Sequence, residues 1–363
     1  MPSKQDGSDG TLVRLKCRVR WKSVLVRALI IGLVLAIGGL VATEIALRVV
    51  FGLGKPMLFV TDPQIEYMCV PGRYHRFGNT ITINSRHMRA VPEAMLQRSS
   101  PDQRRVLVLG DSLIHGGNQS DDRELATVRL ASMLPSGASG ATGAAPAVLN
   151  VSCNSWGPPN LLAYVKRFGT FDCDTAVIVM NSWDYGDVPS FAPLSPEMPT
   201  TAPALALTEI TRNYGPRYAP FVFGKPNWGP ETIAAAGINE ADPGEKLGEE
   251  SLVALRELVE LLRSKGIKVA AVLHPFRREL TSGVFDIGRG KLSAALAAAD
   301  VPTLLTDPGM QQLIDHVSGR SSVAVNLPSE VKPSDPYRDP IHLSPSGQWV
   351  MANVLKEAAA VAK

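Results

Sequence analysis

The sequence predicts an α/β protein: a three-layer α/β/α sandwich around a mainly parallel five-stranded sheet of flavodoxin-like order, 2-1-3-4-5, preceded by one N-terminal transmembrane helix. Three observations carry that prediction. Short, continuously apolar runs such as Arg105 to Gly110 alternate with helix-patterned segments, as buried parallel strands and their crossovers do. Right-handed crossovers of this kind cover both faces of the sheet. Near the N-terminus an apolar stretch of about twenty residues borders a basic cluster, long enough to cross a hydrocarbon core as a helix.

Residues 1–23 read as a basic cytoplasmic tail and 24–43 as the membrane anchor. Up to residue 27 the chain carries Lys4, Arg14, Lys16, Arg18, Arg20, Lys22 and Arg27 against Asp6 and Asp9, a net +5 that leaves −2 on the rest of a chain whose total is +3. The body therefore has no basic excess with which to neutralise a phosphate backbone, which excludes nucleic-acid binding. Val24 to Thr43 is interrupted only by Arg27, whose charge can snorkel to the interface. Positive charge on its N-terminal side places the N-terminus in the cytoplasm and everything after about residue 48 outside it. A cleaved signal peptide is the competing reading, with Val41-Ala42-Thr43 as a weak processing site. The apolar stretch exceeds the usual 7 to 15 or so residues of such a segment, which favours an uncleaved anchor. A buried core helix leaves the charge asymmetry unexplained.

At 363 residues, 45% hydrophobic and 20% charged, the chain can bury a sizeable core in one large or two modest domains. Four cysteines are too few for a disulfide framework. Cys17 lies on the reducing side of the proposed membrane, leaving Cys69, Cys153 and Cys173. Cys153 is expected at the C-terminal end of one strand and Cys173 before the N-terminal end of the next. In a parallel sheet that separation exceeds a Cα to Cα reach of about 7 Å, so this pair is expected not to be bridged.

Residues 44–103, with Pro56, Pro63, Pro71 and Pro92 and no long period, read as a connector packing on the main domain, 104–363. The predicted strands are Arg105 to Gly110, Ala147 to Cys153, Thr175 to Asn181, Lys268 to His274 and Thr303 to Thr306. Between them, helices are predicted over Asp122 to Leu134, Asn160 to Phe168 and Gly248 to Lys265. In the last of these Leu252, Leu255, Leu258, Val259 and Leu262 share one face and Gly266 ends the helix. Pro135 to Ala145 is a loop of small residues, and a final helix runs from Pro345 to Val361. Residues 186–245 hold ten prolines and no clear period, an insertion that is either a lid or mobile.

In an open α/β sheet, ligands bind beyond the C-terminal ends of the strands. Ser112 follows strand one, Gly157 follows strand two, Asn181 closes strand three, and Asp339 with His342 precede the last helix. All five belong to that edge. Each has a bland reading by itself: a helix-cap serine, a turn glycine beside Pro158, a strand-end asparagine, a helix-entry turn with a surface histidine. Together they supply what a serine nucleophile needs, a base and a group to orient the base.

Here the chain resembles the GDSL, or SGNH, hydrolase family over roughly residues 104 to 360. The first block matches as Gly110-Asp111-Ser112-Leu113 and the last as Asp339-Pro340-Ile341-His342-Leu343-Ser344-Pro345-Ser346-Gly347. Asn154-Ser155-Trp156-Gly157 supplies the glycine of the second block. Val179-Met180-Asn181-Ser182 keeps only the asparagine of the third, with Asp184 a nearby second polar group. The resemblance implies an SGNH α/β/α fold and a catalytic triad of Ser112, His342 and Asp339. It also implies an oxyanion hole from the backbone N–H groups of Ser112 and Gly157 with the side-chain amide of Asn181.

Five other histidines compete with His342. His115, three residues beyond Ser112 at the same helix start, would point away from the attack side. His274 could line the pocket with Pro275, Arg277 and Arg278, though packing suits it better; His75, His87 and His316 have no partner pattern. No zinc or calcium spacing and no phosphate-binding glycine loop is present, so neither metal nor cofactor is expected. The expected activity is hydrolysis of O-acyl esters of a carbohydrate or lipid outside the cytoplasm. Two alternatives stand beside it: O-acyl transfer to a polysaccharide hydroxyl, and a non-catalytic module that binds a glycan or a partner.

Overall fold

The computed structural model describes residues 9–136, 144–195, 198–211, 244–323 and 325–363. Five strands form one sheet: β5 (Arg105–Gly110), β6 (Ala147–Ser152), β7 (Thr175–Asn181), β8 (Lys268–His274) and β9 (Thr303–Leu305). Their order is β6-β5-β7-β8-β9, with every pairing parallel, which is the predicted 2-1-3-4-5 order. Gly110 lies opposite Ser152 and Asn181 opposite His274, and the β5–β7 register of Leu109 with Ile178 makes β7 and β8 run two residues beyond β5 and β6 at the same edge.

Alternation along the strands builds two cores. Leu107, Leu109, Leu149, Val151, Ile178 and Met180 face α4 (Pro158–Phe168) and α6 (Glu245–Ser264). Val106, Val108, Val148, Val177, Val179 and Val272 face α3 (Ala126–Met133) and α10 (Pro345–Val361). The five apolar residues expected on one face of α6 are all buried, and Gly266, at φ +74°, turns the chain out of that helix through the left-handed region. Truncating a fully buried leucine such as Leu258 to alanine costs about 2–5 kcal/mol.

The first helix, α1 (Asp9–Phe51), is longer than the predicted anchor and contains it. The most apolar 18-residue stretch of its Ser23–Phe51 section has mean hydropathy 2.6 and packs none of its residues against the rest of the chain. A helix of this length and composition can cross a membrane. Its final turns are docked. Glu44 accepts from the backbone N–H groups of Ala206 and Leu207 at 2.8 and 3.0 Å, and Arg48 donates to the Ala204 carbonyl at 2.7 Å. These contacts hold the short helix α5 (Ala206–Glu209), whose Glu209 is ion-paired with Arg76 in the interior and accepts from the Gly54 N–H at 2.6 Å.

Residues 44–103 contain two hairpins that the sequence reading passed over, β1 (Phe59–Asp62) with β2 (Glu66–Cys69) and β3 (Gly72–Arg76) with β4 (Asn79–Ile83). Strands of four or five residues are too short to establish a period. Phe59, Ile65, Tyr67 and Ile81 join the larger core. Three helices after β8 were also missed: α7 (Arg277–Ser282), α8 (Ile287–Ala298) and α9 (Asp307–Val317). Asp122 to Leu134 is not one helix. A 3₁₀ turn at Asp122–Glu124 precedes an extended Leu125, because Asp121 and Asp122 accept the backbone N–H groups of Thr80 and Thr82 and fasten β4 to this segment. Most of the Pro135 to Ala145 loop and residues 212–243 of the insertion lie outside the described residues.

Candidate active site

Ser112 opens the four-residue helix α2 (Ser112–His115), immediately after β5. Asp111 caps it by accepting the Leu113 N–H at 2.9 Å, and Gly116, at φ +76°, ends it. Gly110 has to be small, since a Cβ there would lie 2.9 Å from Ile114 Cγ1 and 3.3 Å from the Val179 carbonyl oxygen. The serine is thus held by its neighbours at the sheet edge, half-buried.

His342 arrives on a tight loop. The Tyr337–Leu343 bridge, with the Arg338 N–H donating to the His342 carbonyl at 2.9 Å, folds residues 337–343 back on themselves. Arg338 also donates through Nε to the Leu343 carbonyl and through Nη2 to Ser120 Oγ, both at 2.8 Å. Ser344 caps α10 and Pro345 occupies its first turn. Inside this loop Asp339 Oδ1 accepts the N–H groups of Ile341 and His342 at 3.0 and 2.8 Å, leaving Oδ2 for the His342 ring.

His342 Nδ1 lies 2.7 Å from Asp339 Oδ2, and Nε2 lies 3.1 Å from Ser112 Oγ. Burial alone would raise the Asp339 carboxyl, but the His342 hydrogen bond and charge and the two backbone donors hold it below its ordinary value. Burial alone would lower His342, but the Asp339 hydrogen bond and charge, with a contribution from Asp111, raise it. An ionised Asp339 can only accept, so Nδ1 carries the proton of neutral His342 and Nε2 presents its lone pair to the serine hydroxyl.

Asn181 joins this group through Asp111. Its Nδ2 donates to Asp111 Oδ2 at 2.9 Å, its Oδ1 accepts the Trp183 N–H at 2.8 Å, and its own N–H donates to Asp184 Oδ2 at 2.6 Å. Asp184 therefore holds the end of β7 in place. Burial pushes Asp111 up to about 6 despite its three donors and neighbouring His342, and burial with the charge of Asp111 pushes Asp184 well above its ordinary value. The contribution of Asp111 was missed, although it stands beside the serine in the first block.

Gly157 departs from expectation. Its N–H donates to Asn160 Oδ1 at 3.1 Å and is engaged there. A Cβ at this position would lie 1.9 Å from the Asp187 carbonyl oxygen, so the requirement for glycine comes from a close backbone approach by the insertion. The first hairpin fixes the preceding loop: Tyr67 donates to the Asn154 carbonyl at 2.7 Å, and Trp156 Nε1 donates to the Tyr67 carbonyl at 3.0 Å.

Beside the triad lies an apolar cluster of Leu113, Phe276 and Ile341, with Trp183 packed on Phe276 at a ring separation of 4.2 Å. The competing histidines are occupied elsewhere. His115 is fully buried against Cys69 Sγ at 3.5 Å. His274 bonds Thr306 Oγ1 at 2.8 Å beneath Tyr337, and burial pushes it down to about 3, which keeps it neutral. His87 bonds the Cys69 carbonyl, His75 lies against Thr80 and His316 against the Val323 carbonyl. Among the described residues no group of three or more His, Cys, Asp or Glu is placed to hold a metal ion.

No family model and no curated protein matches the chain. Among solved structures it is similar to TesA at 12% identity, covering 70% of this chain and 97% of that one with a TM-score of 0.38. It is similar to AlinE4, an SGNH-hydrolase family esterase, at 14% identity over 64% of this chain and 89% of that one, TM-score 0.33. A third is the psychrotrophic esterase EstA from Pseudoalteromonas sp., at 11% identity over 70% and 96%, TM-score 0.34.

Proposed function

We propose that the protein is a serine ester hydrolase, anchored by α1 with its catalytic domain outside the cytoplasm, that cleaves O-acyl groups such as O-acetyl from a carbohydrate or lipid. The observation that carries this reading is the Asp339, His342, Ser112 relay, with contacts of 2.7 and 3.1 Å running in the order base catalysis requires. His342 Nε2 removes the Ser112 proton as Oγ attacks the acyl carbon. The protonated ring, paired with Asp339, then returns that proton to the leaving alkoxide oxygen. Water repeats the cycle in reverse to free the enzyme.

The tetrahedral oxyanion requires donors. The Ser112 N–H and the second hydrogen of the Asn181 amide supply them, the first amide hydrogen being spent on Asp111. Gly157 would add a third donor only once Asn160 releases its N–H. The cluster of Leu113, Phe276, Ile341 and Trp183 offers an apolar wall to the acyl side of the substrate. The basic tail and the apolar, unburied Ser23–Phe51 section support the cytoplasmic N-terminus and outward domain.

The test is labelling of the full-length protein with a fluorophosphonate, followed by peptide mass spectrometry and by rates on short and long p-nitrophenyl esters. An adduct on Ser112 and its loss in Ser112→Ala are expected. A properly folded protein that gains no adduct at Ser112 sinks the reading and favours a non-catalytic binding module. Products formed with a sugar acceptor present separate transfer from hydrolysis.

A further inference from the structure

Two thiols that the proposed chemistry does not use meet behind the catalytic edge. Cys69 closes β2 and Cys153 follows β6; 84 positions apart in sequence, their sulfurs lie 3.4 Å from each other. Both side chains are buried to within 1% of full enclosure. The third element at this junction is α2, whose His115 places Nε2 at 3.5 Å from Cys69 Sγ. Cys173 is buried elsewhere, with no thiol beside it among the described residues.

We propose that Cys69 and Cys153 are a disulfide-forming pair, a covalent clip that joins the first hairpin to the loop after β6 when the domain stands in an oxidising compartment. The clip relies on the outward placement proposed above for its occurrence in the cell, and on geometry alone for its ability to form. A bond requires the sulfurs to approach by about 1.4 Å, within reach of side-chain rotation. The two partners are also unlike. The hydrogen bond from Cys153, with His115 and Arg89 nearby, pulls the Cys69 thiol down to about 5 against burial, whereas burial pushes Cys153 well up. Once the junction is closed, Cys69 is therefore the more acidic of the two thiols.

The oxidant is a disulfide, R–S–S–R, encountered during folding before the junction closes. Cys69 sulfur attacks one of its sulfurs, forming Cys69–S–S–R and releasing R–S⁻, which takes up the Cys153 proton. The Cys153 sulfur then attacks Cys69 Sγ, displacing the second R–S⁻, which takes up the proton that Cys69 released to solvent. Two thiols are oxidised, one external disulfide is reduced to two thiols, and two electrons pass to it. The product fixes Cys153 directly before Asn154 to Gly157, the loop that Tyr67 and Trp156 already tie to β2.

The experiment takes full-length protein in detergent, reduces it, and equilibrates it with glutathione buffers both natively and on refolding from urea. Acid quench, alkylation of free thiols and non-reducing peptide mapping follow. Expected are a Cys69 to Cys153 cross-link, alkylated Cys17 and Cys173, and a Tm about 10 °C above that of the reduced protein. Cys153→Ser should abolish that Tm difference. Four alkylated cysteines at every buffer ratio, a bridge through Cys173, or thiols shielded by a bound zinc until chelator is added overturn the proposal. Because the buffer sets the redox state, a domain facing the cytoplasm leaves this result unchanged; protease accessibility in sealed vesicles reports that failure separately.

Discussion

The side-chain amide of Asn181, at the end of β7, donates to the carboxylate of Asp111, at the end of β5, at 2.9 Å. Asp111 in turn caps the helix that begins at Ser112. One hydrogen bond thus couples the expected oxyanion donor to the position of the proposed nucleophile, and it is one of the donors to the Asp111 carboxyl, which burial pushes up to about 6.

Replacing Asn181 with alanine should lower kcat by about 10²–10³ with a smaller change in KM, as expected for a contact made chiefly in the transition state. The same change leaves a buried carboxylate short of a donor and should cost about 1–3 kcal/mol of stability. Steady-state kinetics on a p-nitrophenyl ester and urea denaturation read the two effects independently.

The pH dependence follows from the directions at His342 and Asp339. Only neutral His342 accepts the serine proton, so the acidic limb of kcat/KM should fall above the ordinary histidine value of 6.5. Asp339→Asn should lower kcat by about 10⁴ and move that limb down. In stability the signs oppose each other. The Asp339 contribution is present above its unfolded pKa and is lost as pH falls through its lowered folded value. The His342 contribution is complete below 6.5 and is lost as pH rises through its raised folded value. Denaturation against pH, compared with Asp339→Asn, checks both.

Gly157→Ala places a methyl group 1.9 Å from the Asp187 carbonyl oxygen, which belongs to the backbone and cannot rotate away. A loss of about 1–3 kcal/mol is expected as the insertion is displaced. Thermal unfolding measures it, and an unchanged Tm would refute the close approach.

Glu209→Leu should destabilise the protein by about 3–5 kcal/mol, because Arg76 and the Gly54 N–H lose their buried acceptor. Esterase activity per folded molecule should be retained, since neither group touches the triad. Activity normalised to the folded fraction tests that separation.

The sheet was legible because buried parallel strands are continuous apolar runs, and β5, β7 and β8 match their predicted limits. The meeting of Ser112, His342 and Asp339 was legible because Asp339 and His342 sit in one tight loop at the sheet edge where Ser112 also ends up. Asn160 was not. Its capture of the Gly157 N–H is an exchange of one hydrogen-bond partner for another, which leaves no trace in residue spacing. Nor was the meeting of Cys69 with Cys153, since it depends on how a hairpin of four-residue strands lies across β6. Periodicity encodes which face an element buries; it does not encode which elements lie across one another.

Glu44 and Arg48 grip residues 204–207 from the end of α1, so that an α1 placed in a membrane would act as a mast rather than a tether. A domain trailing on a flexible tether sweeps a volume that grows with linker length. One hydrogen-bonded to the last turns of its helix keeps a set altitude and heading above the bilayer. With α1 in a membrane, the esters within range of Ser112 are those that other molecules present at that height, and lengthening the joint after Arg48 would change which substrates are met without altering an atom of the triad.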